Sequence, residues 1–165
     1  MATEHDGFIY GLDALEFAGK ELGLISNDSI DWGGDEPSTV KIWAAQKRTA
    51  PAKELLENPG TDELSFDLIK LKPANIAQVM GGTVSEDGKK WNAPSKRVVL
   101  EGPAMLRTAD GSKVDIGTVS LIGFPRGKFG YSDVFKIHCK MTVTLPEGDA
   151  SPYGIDTDPD ATVVG

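Results

Sequence analysis

The sequence predicts a mainly β domain with one short helix, and three stretches carry that prediction. Val134–Leu145 (VFKIHCKMTVTL) alternates without a break. Phe135, Ile137, Cys139, Met141, Val143 and Leu145 fall on one side, and Lys136, His138, Lys140, Thr142 and Thr144 on the other. That is the period-2 pattern of a strand with one buried face. Asp110-Gly111 lies between two strand-like runs, a strong hairpin signal. Pro73–Met80 (PANIAQVM) has proline at its first position, Ile76, Val79 and Met80 on one face, and Gly81-Gly82 as a stop, so it reads as a helix. The long strand would run roughly 36 Å at ~3.3 Å per residue. It needs neighbours along its length, so a large sheet is expected.

Residues 1–11 read as a leader with an apolar foothold at Phe8, Ile9 and Tyr10. Two short strands, 14–18 and 22–26, are expected around an Ala18-Gly19-Lys20-Glu21 turn, because Gly19 and Gly23 weaken a helix there. Trp32 follows as an anchor. Ser38–Gln46 is a strand, with Val40, Ile42 and Ala44 on one side and Thr39, Lys41 and Trp43 on the other. Lys47–Gly60 has little alternation and is expected to be a long excursion, with a short helical turn from Pro51 that stops before Asn58-Pro59-Gly60. Thr61–Leu71 alternates through Leu64, Phe66 and Leu68 and then shifts phase to Ile69 and Leu71, as a β-bulge would. Asp87-Gly88 predicts a turn near Trp91. Strands over 97–108 and 113–122 flank the Ala109–Ser112 hairpin turn, Phe124–Ser132 reads as a glycine-punctuated loop, and Glu147–Gly165 as an extended polar tail.

At 165 residues, one domain with its own core is expected. No apolar run is long enough to span a membrane. The opening MATEHDGFIYG lacks a basic start and an apolar stretch, and Cys139 is the single cysteine. Together these suggest an intracellular protein without disulfides. The net charge of −8 is segregated. Residues 1–40 carry nine acids against Lys20, residues 41–145 carry sixteen bases against eleven acids, and residues 146–165 carry five acids and no base. That balance argues against sequence-independent nucleic-acid binding. The acidic ends read either as solvated termini or as arms that dock on basic patches of neighbouring copies.

Catalytic patterns fail one by one. The two histidines are His5 and His138. His138 and Cys139 are adjacent in a strand and point to opposite faces, so they cannot share a substrate or metal. Gly123–Phe129 (GFPRGKF) has the wrong spacing for a phosphate loop and Phe129 in place of its hydroxyl residue. Asp156, Asp158 and Asp160 open like a calcium loop, but Ala161 stands where glycine is needed. Asn27-Asp28-Ser29 matches a glycosylation sequon with no export signal to give it meaning. No active site is read, so neither enzymatic activity nor a cofactor or metal is expected. Pairing exposed strand edges between identical subunits weakly favours an assembling structural protein.

Four stretches, in this order, resemble the tail tube (major tail) proteins of long-tailed bacteriophages. They are Leu15–Trp32 (LEFAGKELGLISNDSIDW), Val40–Gln46, Gly60–Gly82 (GTDELSFDLIKLKPANIAQVMGG) and the Phe135–Pro146 run with its prolyl, acidic tail. The likeness covers about residues 10–150, and PANIAQVMGG after an alternating strand is its most telling piece. It implies two packed β-sheets, sandwich or barrel-like, with a flanking helix. Residues 12–146 would be the body, between arms at 1–11 and 147–165.

In that family, hexameric rings stack into a tube around a DNA channel, and the fold also serves inner tubes of contractile tails and type VI secretion. By resemblance, the 47–60 segment would reach a neighbouring subunit, and the acidic ends would make inter-ring contacts or face the lumen. Interface candidates are Lys47, Arg48, Pro51, Leu55, Leu56, Phe8, Tyr10 and Tyr153. Implied partners are further copies, tape-measure protein, tail initiator or baseplate, terminator, and genomic DNA sliding through unbound. No membrane is implied. The implied location is the virion tail, assembled in the host bacterial cytoplasm. An acidic lumen would repel DNA phosphates, although Lys136, His138 and Lys140 on the wet face of the long strand depart from that pattern. The alternatives are another ring component of a tail or injection machine, such as a terminator, and a monomeric β-sandwich binding module. The binding module would need an exposed aromatic platform, yet Trp32, Trp43 and Trp91 lie far apart in sequence.

Overall fold

A computed structural model describes residues 5–27, 29–146, 148 and 150–157. The fold is mainly β with one short helix and several antiparallel sheets, the class the sequence predicts. Its spine is β10 (Lys113–Arg126), fourteen residues long. One edge of β10 carries β9 (Leu100–Arg107), which pairs from Lys113↔Arg107 to Leu121↔Leu100. The other edge carries two partners in tandem. β11 (Lys136–Val143) pairs with Val119–Arg126, and β12 (Tyr153–Asp156) pairs with Lys113–Ile116. The sheet continues outward from β9 to β1 (Ala14–Phe17) and β2 (Lys20–Glu21). From β11 it continues to β6 (Glu63–Leu68) and β3 (Asp31–Gly33).

The two margins of this sheet meet, which makes it barrel-like. After β2, the Leu22 N–H donates to Leu15 O of β1. A few residues on, Ser26 N–H donates to Asp67 O, Ile69 N–H donates to Leu24 O, and Ile25 bridges Leu68. Residues 20–26 thus hydrogen-bond β1 at one end and the outer edge of β6 at the other. Alternate residues of each strand fill the interior. Leu15, Phe66, Leu68, Val119, Leu121, Ile137, Cys139 and Met141 are each at most 2% exposed. The helix α1 (Pro73–Met80) lies where expected, ends at Gly81 with φ 72°, and buries Val79 and Met80. It rests directly on β10, since a Cβ added at Gly123 would lie 3.0 Å from Val79 O and 3.2 Å from Met80 Cγ. Small hairpins complete the fold: β7 (Thr83–Val84) with β8 (Trp91–Asn92), and β4 (Ser38–Ile42) with β5 (Lys53–Asn58). No described helix is long and apolar enough to cross a membrane.

Several expectations are corrected. The 134–145 strand is shorter, Lys136–Val143, with Val134 and Leu145 exposed. Its pairing partner ends at Arg126, opposite Lys136. The supposed loop from Phe124 begins inside β10. Gly123 hid the alternation by occupying a buried position, and Pro125 is tolerated because β9 stops pairing at Leu121. The expected bulge at Leu68/Ile69 is instead the end of β6, where the chain turns to pair with residues 24–26. Among the described residues the register shifts lie instead between Ile116 and Val119 of β10 and between Ser38 and Thr39 of β4. The second short N-terminal strand covers Lys20–Glu21, with only a bridge at Ile25. The helical turn expected after Pro51 is strand β5. Part of the extended tail is paired, because Tyr153–Asp156 joins the main sheet as a strand; residues 147, 149 and 158–165 lie outside the described residues.

Two consequences can be measured. Ile137 is 2% exposed among apolar neighbours, so Ile137→Asp should abolish cooperative melting because a buried unpaired carboxylate costs several kcal/mol. Lys140→Gln on the opposite face should shift stability by no more than about 0.5 kcal/mol. Burial, with a smaller contribution from the Asp67 charge, pushes the Cys139 thiol up to about 12. Thiol reagents near neutral pH should therefore leave the folded protein unmodified and label it only in denaturant; labelling of the native state would show that this face opens.

Candidate assembly surface

The candidate site residues fall on three parts of the fold. Lys47, Arg48, Pro51, Leu55 and Leu56 come together on the β4–β5 arm. Phe8 and Tyr10 lie in the leader, and Tyr153 lies in β12. The arm forms a two-stranded sheet of its own. Its register runs from Ser38↔Asn58 to Ile42↔Lys53, with Ala44↔Lys47 bridging near the tip and Ala52 N–H donating to Ile42 O. Thr39 Oγ1 donates to Glu54 Oε1 across the strands. The strand expected over Ser38–Gln46 forms over Ser38–Ile42, and every residue of both strands is exposed. Val40, Ile42, Trp43, Leu55 and Leu56 are 42–63% exposed. Among the described residues nothing covers these side chains.

The arm leaves the body at a tight crossing. Gly34, with φ 123°, passes over Thr61, and a Cβ there would collide with Thr61 O; a Cβ at Gly60, with φ 78°, would collide with Asp35 O. Asp35 N–H donates to Thr61 Oγ1, and Thr61 N–H donates to Asp35 O. Only glycine fits these two positions, so the root of the arm is fixed even though its strands stand away from the core.

The leader is held differently from what its composition suggested. Phe8 and Tyr10 are 72% and 63% exposed, so they are no apolar foothold. Instead, the hairpin turn between β9 and β10 clasps the chain. Tyr10 N–H donates to Asp110 Oδ1, Ala109 N–H donates to Tyr10 O, and His5 Nε2 lies 2.6 Å from Asp110 Oδ2. Ser112, 1% exposed, donates its hydroxyl to the same carboxylate oxygen.

Serine, histidine and aspartate thus meet, but not as a relay. The His5 Nδ1 accepts from Gly7 N–H, which leaves the proton on Nε2, and Nε2 faces both the carboxylate and the serine. Nucleophile activation needs the carboxylate and the hydroxyl on opposite ring nitrogens. The cluster is a clasp. Sequence reading missed it because its members are 105 residues apart, and only the Asp110-Gly111 turn signal pointed at the place.

The third part is the pairing of Tyr153 with Trp32, whose ring centroids are 5.2 Å apart; Trp32 Nε1 also donates to Asp62. Trp91 donates to Gly81 O and packs against the core, and Trp43 is on the arm. On the outer face of the sheet His138 Nδ1 meets Asp67 at 2.7 Å, beside Phe124, over which Arg126 lies at 4.4 Å. Cys139 points the other way into the core, as its place in the strand requires. Among the described residues, no group of histidine, cysteine and carboxylate side chains could hold a metal ion. Comparison with protein-family profiles and with curated proteins returns no match.

The clasp sets an acid limit. Burial acts to raise the Asp110 carboxyl, but hydrogen bonds from Ser112, Thr108, Tyr10 N–H and His5 outweigh it and hold the group well below the usual carboxylate range. A depressed carboxyl stabilises the fold above its unfolded value, here 3.8, and loses that contribution as pH falls below it. Protection factors for amide exchange in residues 5–12, corrected for the intrinsic rate at each pH, should therefore fall as the pH drops below 3.8. Asp110→Asn should produce the same loss of protection at neutral pH while the body still melts cooperatively.

Proposed function

We propose that this chain is a structural subunit that assembles with copies of itself, and specifically a phage-type tail tube protein forming stacked hexameric rings through which DNA passes. The observation that carries the reading is the β4–β5 arm. Five large apolar side chains stand exposed on it, outside the main sheet, on a root that only glycine can make. By register Val40, Ile42 and Leu55 share one face of the pair and Leu56 lies on the other, and an uncovered apolar strand pair invites association. The order of the strand, helix and acidic-tail stretches that resemble tail tube proteins supplies the identity of the assembly. The barrel-like body suits a ring component, with the arm as the element that reaches a neighbour. In this reading the further partners are a tape-measure protein, an initiator or baseplate and a terminator, and DNA slides through without specific contacts. A monomeric carbohydrate- or protein-binding module is less well supported, since Trp32, Trp43 and Trp91 occupy three separate parts of the fold and build no shared platform.

The test is to excise residues 39–57, joining Ser38 to Asn58, whose backbones are already paired, through two glycines. Mass by light scattering over a concentration series, with negative-stain images of the same fractions, should show rings or tubes for the full chain and a folded, cooperatively melting monomer for the variant. Leu55→Asp with Leu56→Asp should have the same effect without shortening the chain. Normal tubes from either variant would remove the arm from assembly, and a full chain that stays monomeric at every concentration would count against the tube itself.

A further inference from the structure

The body is electrically polar along β10. At ~3.3 Å per residue the strand separates its ends by roughly 45 Å. At the Arg126 end lie Arg97 beside Gly123, and Arg126, Lys128 and Lys136 around the β10–β11 turn, whereas Lys70 and Lys72 line a cleft on the flank together with Asp13 and Glu21. The acids there are Asp133, paired with Lys136 at 3.8 Å, and Glu86 and Asp87 in the β7–β8 turn. At the Lys113 end lie Asp6 and Asp13 of the leader, Asp35, Glu36 and Asp62 at the root of the arm, and Asp156 of β12. The bases there are Arg107 and Lys113, the latter 3.5 Å from Asp115.

Shape follows charge. At the basic end the 127–135 turn presents Phe129 and Tyr131, 88% and 113% exposed, with Phe129 stacked on Phe135 at 4.6 Å. At the acidic end a cleft of about 560 Å³ opens between the leader and β3, lined among others by Ile9, Tyr10, Leu12, Ile30, Trp32 and Val114. A basic turn with an aromatic tip and an acidic rim around an apolar cleft are therefore offered by the same chain at opposite ends.

We propose that the β10–β11 turn of one copy seats Phe129 and Tyr131 in the acidic-end cleft of the next, an end-to-end contact between identical chains. It deepens the assembly reading and rests on it. The contact is heterologous, so each copy keeps one free turn and one free cleft, and repetition gives a polar array unless rotation closes it. The aromatic pair supplies apolar burial, and the flanking charges select the order, because turn-to-turn or cleft-to-cleft approach would set like charges against each other. Neither Phe129 nor Tyr131 stood among the sequence-based interface candidates; their exposure could be seen only once β10 and β11 had been paired.

The experiment mixes two variants of the full chain, each with one added cysteine beside the contact, Ser132→Cys and Asn27→Cys, with a short bismaleimide; Asn27 lines the cleft and Ser132 follows Tyr131 in the turn. The control pair is Ser132→Cys with Glu101→Cys, an exposed site at mid-strand opposite Ser120. All three positions are exposed, melting curves confirm folding, and native Cys139 is fully buried. The 132–27 pair should give a covalent dimer that the 132–101 pair does not, with a yield falling by about threefold or more in 1 M salt, where the screening length is about 3 Å. No product, or equal product from both pairs, overturns the contact whether or not tubes form. A selective, salt-sensitive dimer without tubes in negative stain keeps the contact and counts against the tube reading instead.

Discussion

Everything in this fold leans on the shared ladder of β10. Its fourteen residues hydrogen-bond β9 along one edge and β11 followed by β12 along the other. The bulge between Ile116 and Val119 lies where the second edge passes from one partner to the next, and there Thr144 N–H donates to Thr118 O and Gly117 N–H to Pro152 O. That handover lets a short C-terminal segment extend the line of β11 without a new layer. It also fixes where the termini go. β12 runs toward the Lys113 end, where the clasp on Asp110 holds the leader, and so Asp6 and Asp156 lie toward the same pole.

The strands with an inward apolar face were legible in the sequence, because alternation reports burial. Leu64, Phe66 and Leu68, and Ile137, Cys139 and Met141, are buried as their spacing demands. The helix was legible because its proline start and glycine stop are local signals. What failed had non-local causes. Gly123 broke the apolar pattern of β10 because the helix backbone fills the space of its side chain. β5 showed no alternation because neither of its faces is buried in this chain. The clasp of His5, Asp110 and Ser112 depends on a closure over more than a hundred residues that no local pattern encodes.

Five of the residues expected at an interface share the arm, while Phe8, Tyr10 and Tyr153 fall elsewhere. The alternation of β4 does mark a strand, but both of its faces are exposed. Such a mismatch between apolar content and exposure is informative, since it marks surface the chain prepares and does not itself use.

The long-range strand pairing also dictates an order of events as the chain is made. Ala14 pairs with Arg107, Leu68 with Ile137, and Lys113 with Asp156. The core can close only once nearly the whole chain has been synthesised, and loop closures of that length make for slow folding. The arm differs, since β4 and β5 are joined by ten residues and pair locally. Hairpins of this kind form in microseconds. A nascent chain would therefore display the sticky hairpin well before it has a barrel, and premature association is the hazard that this topology leaves to the timing of synthesis and to local protein concentration.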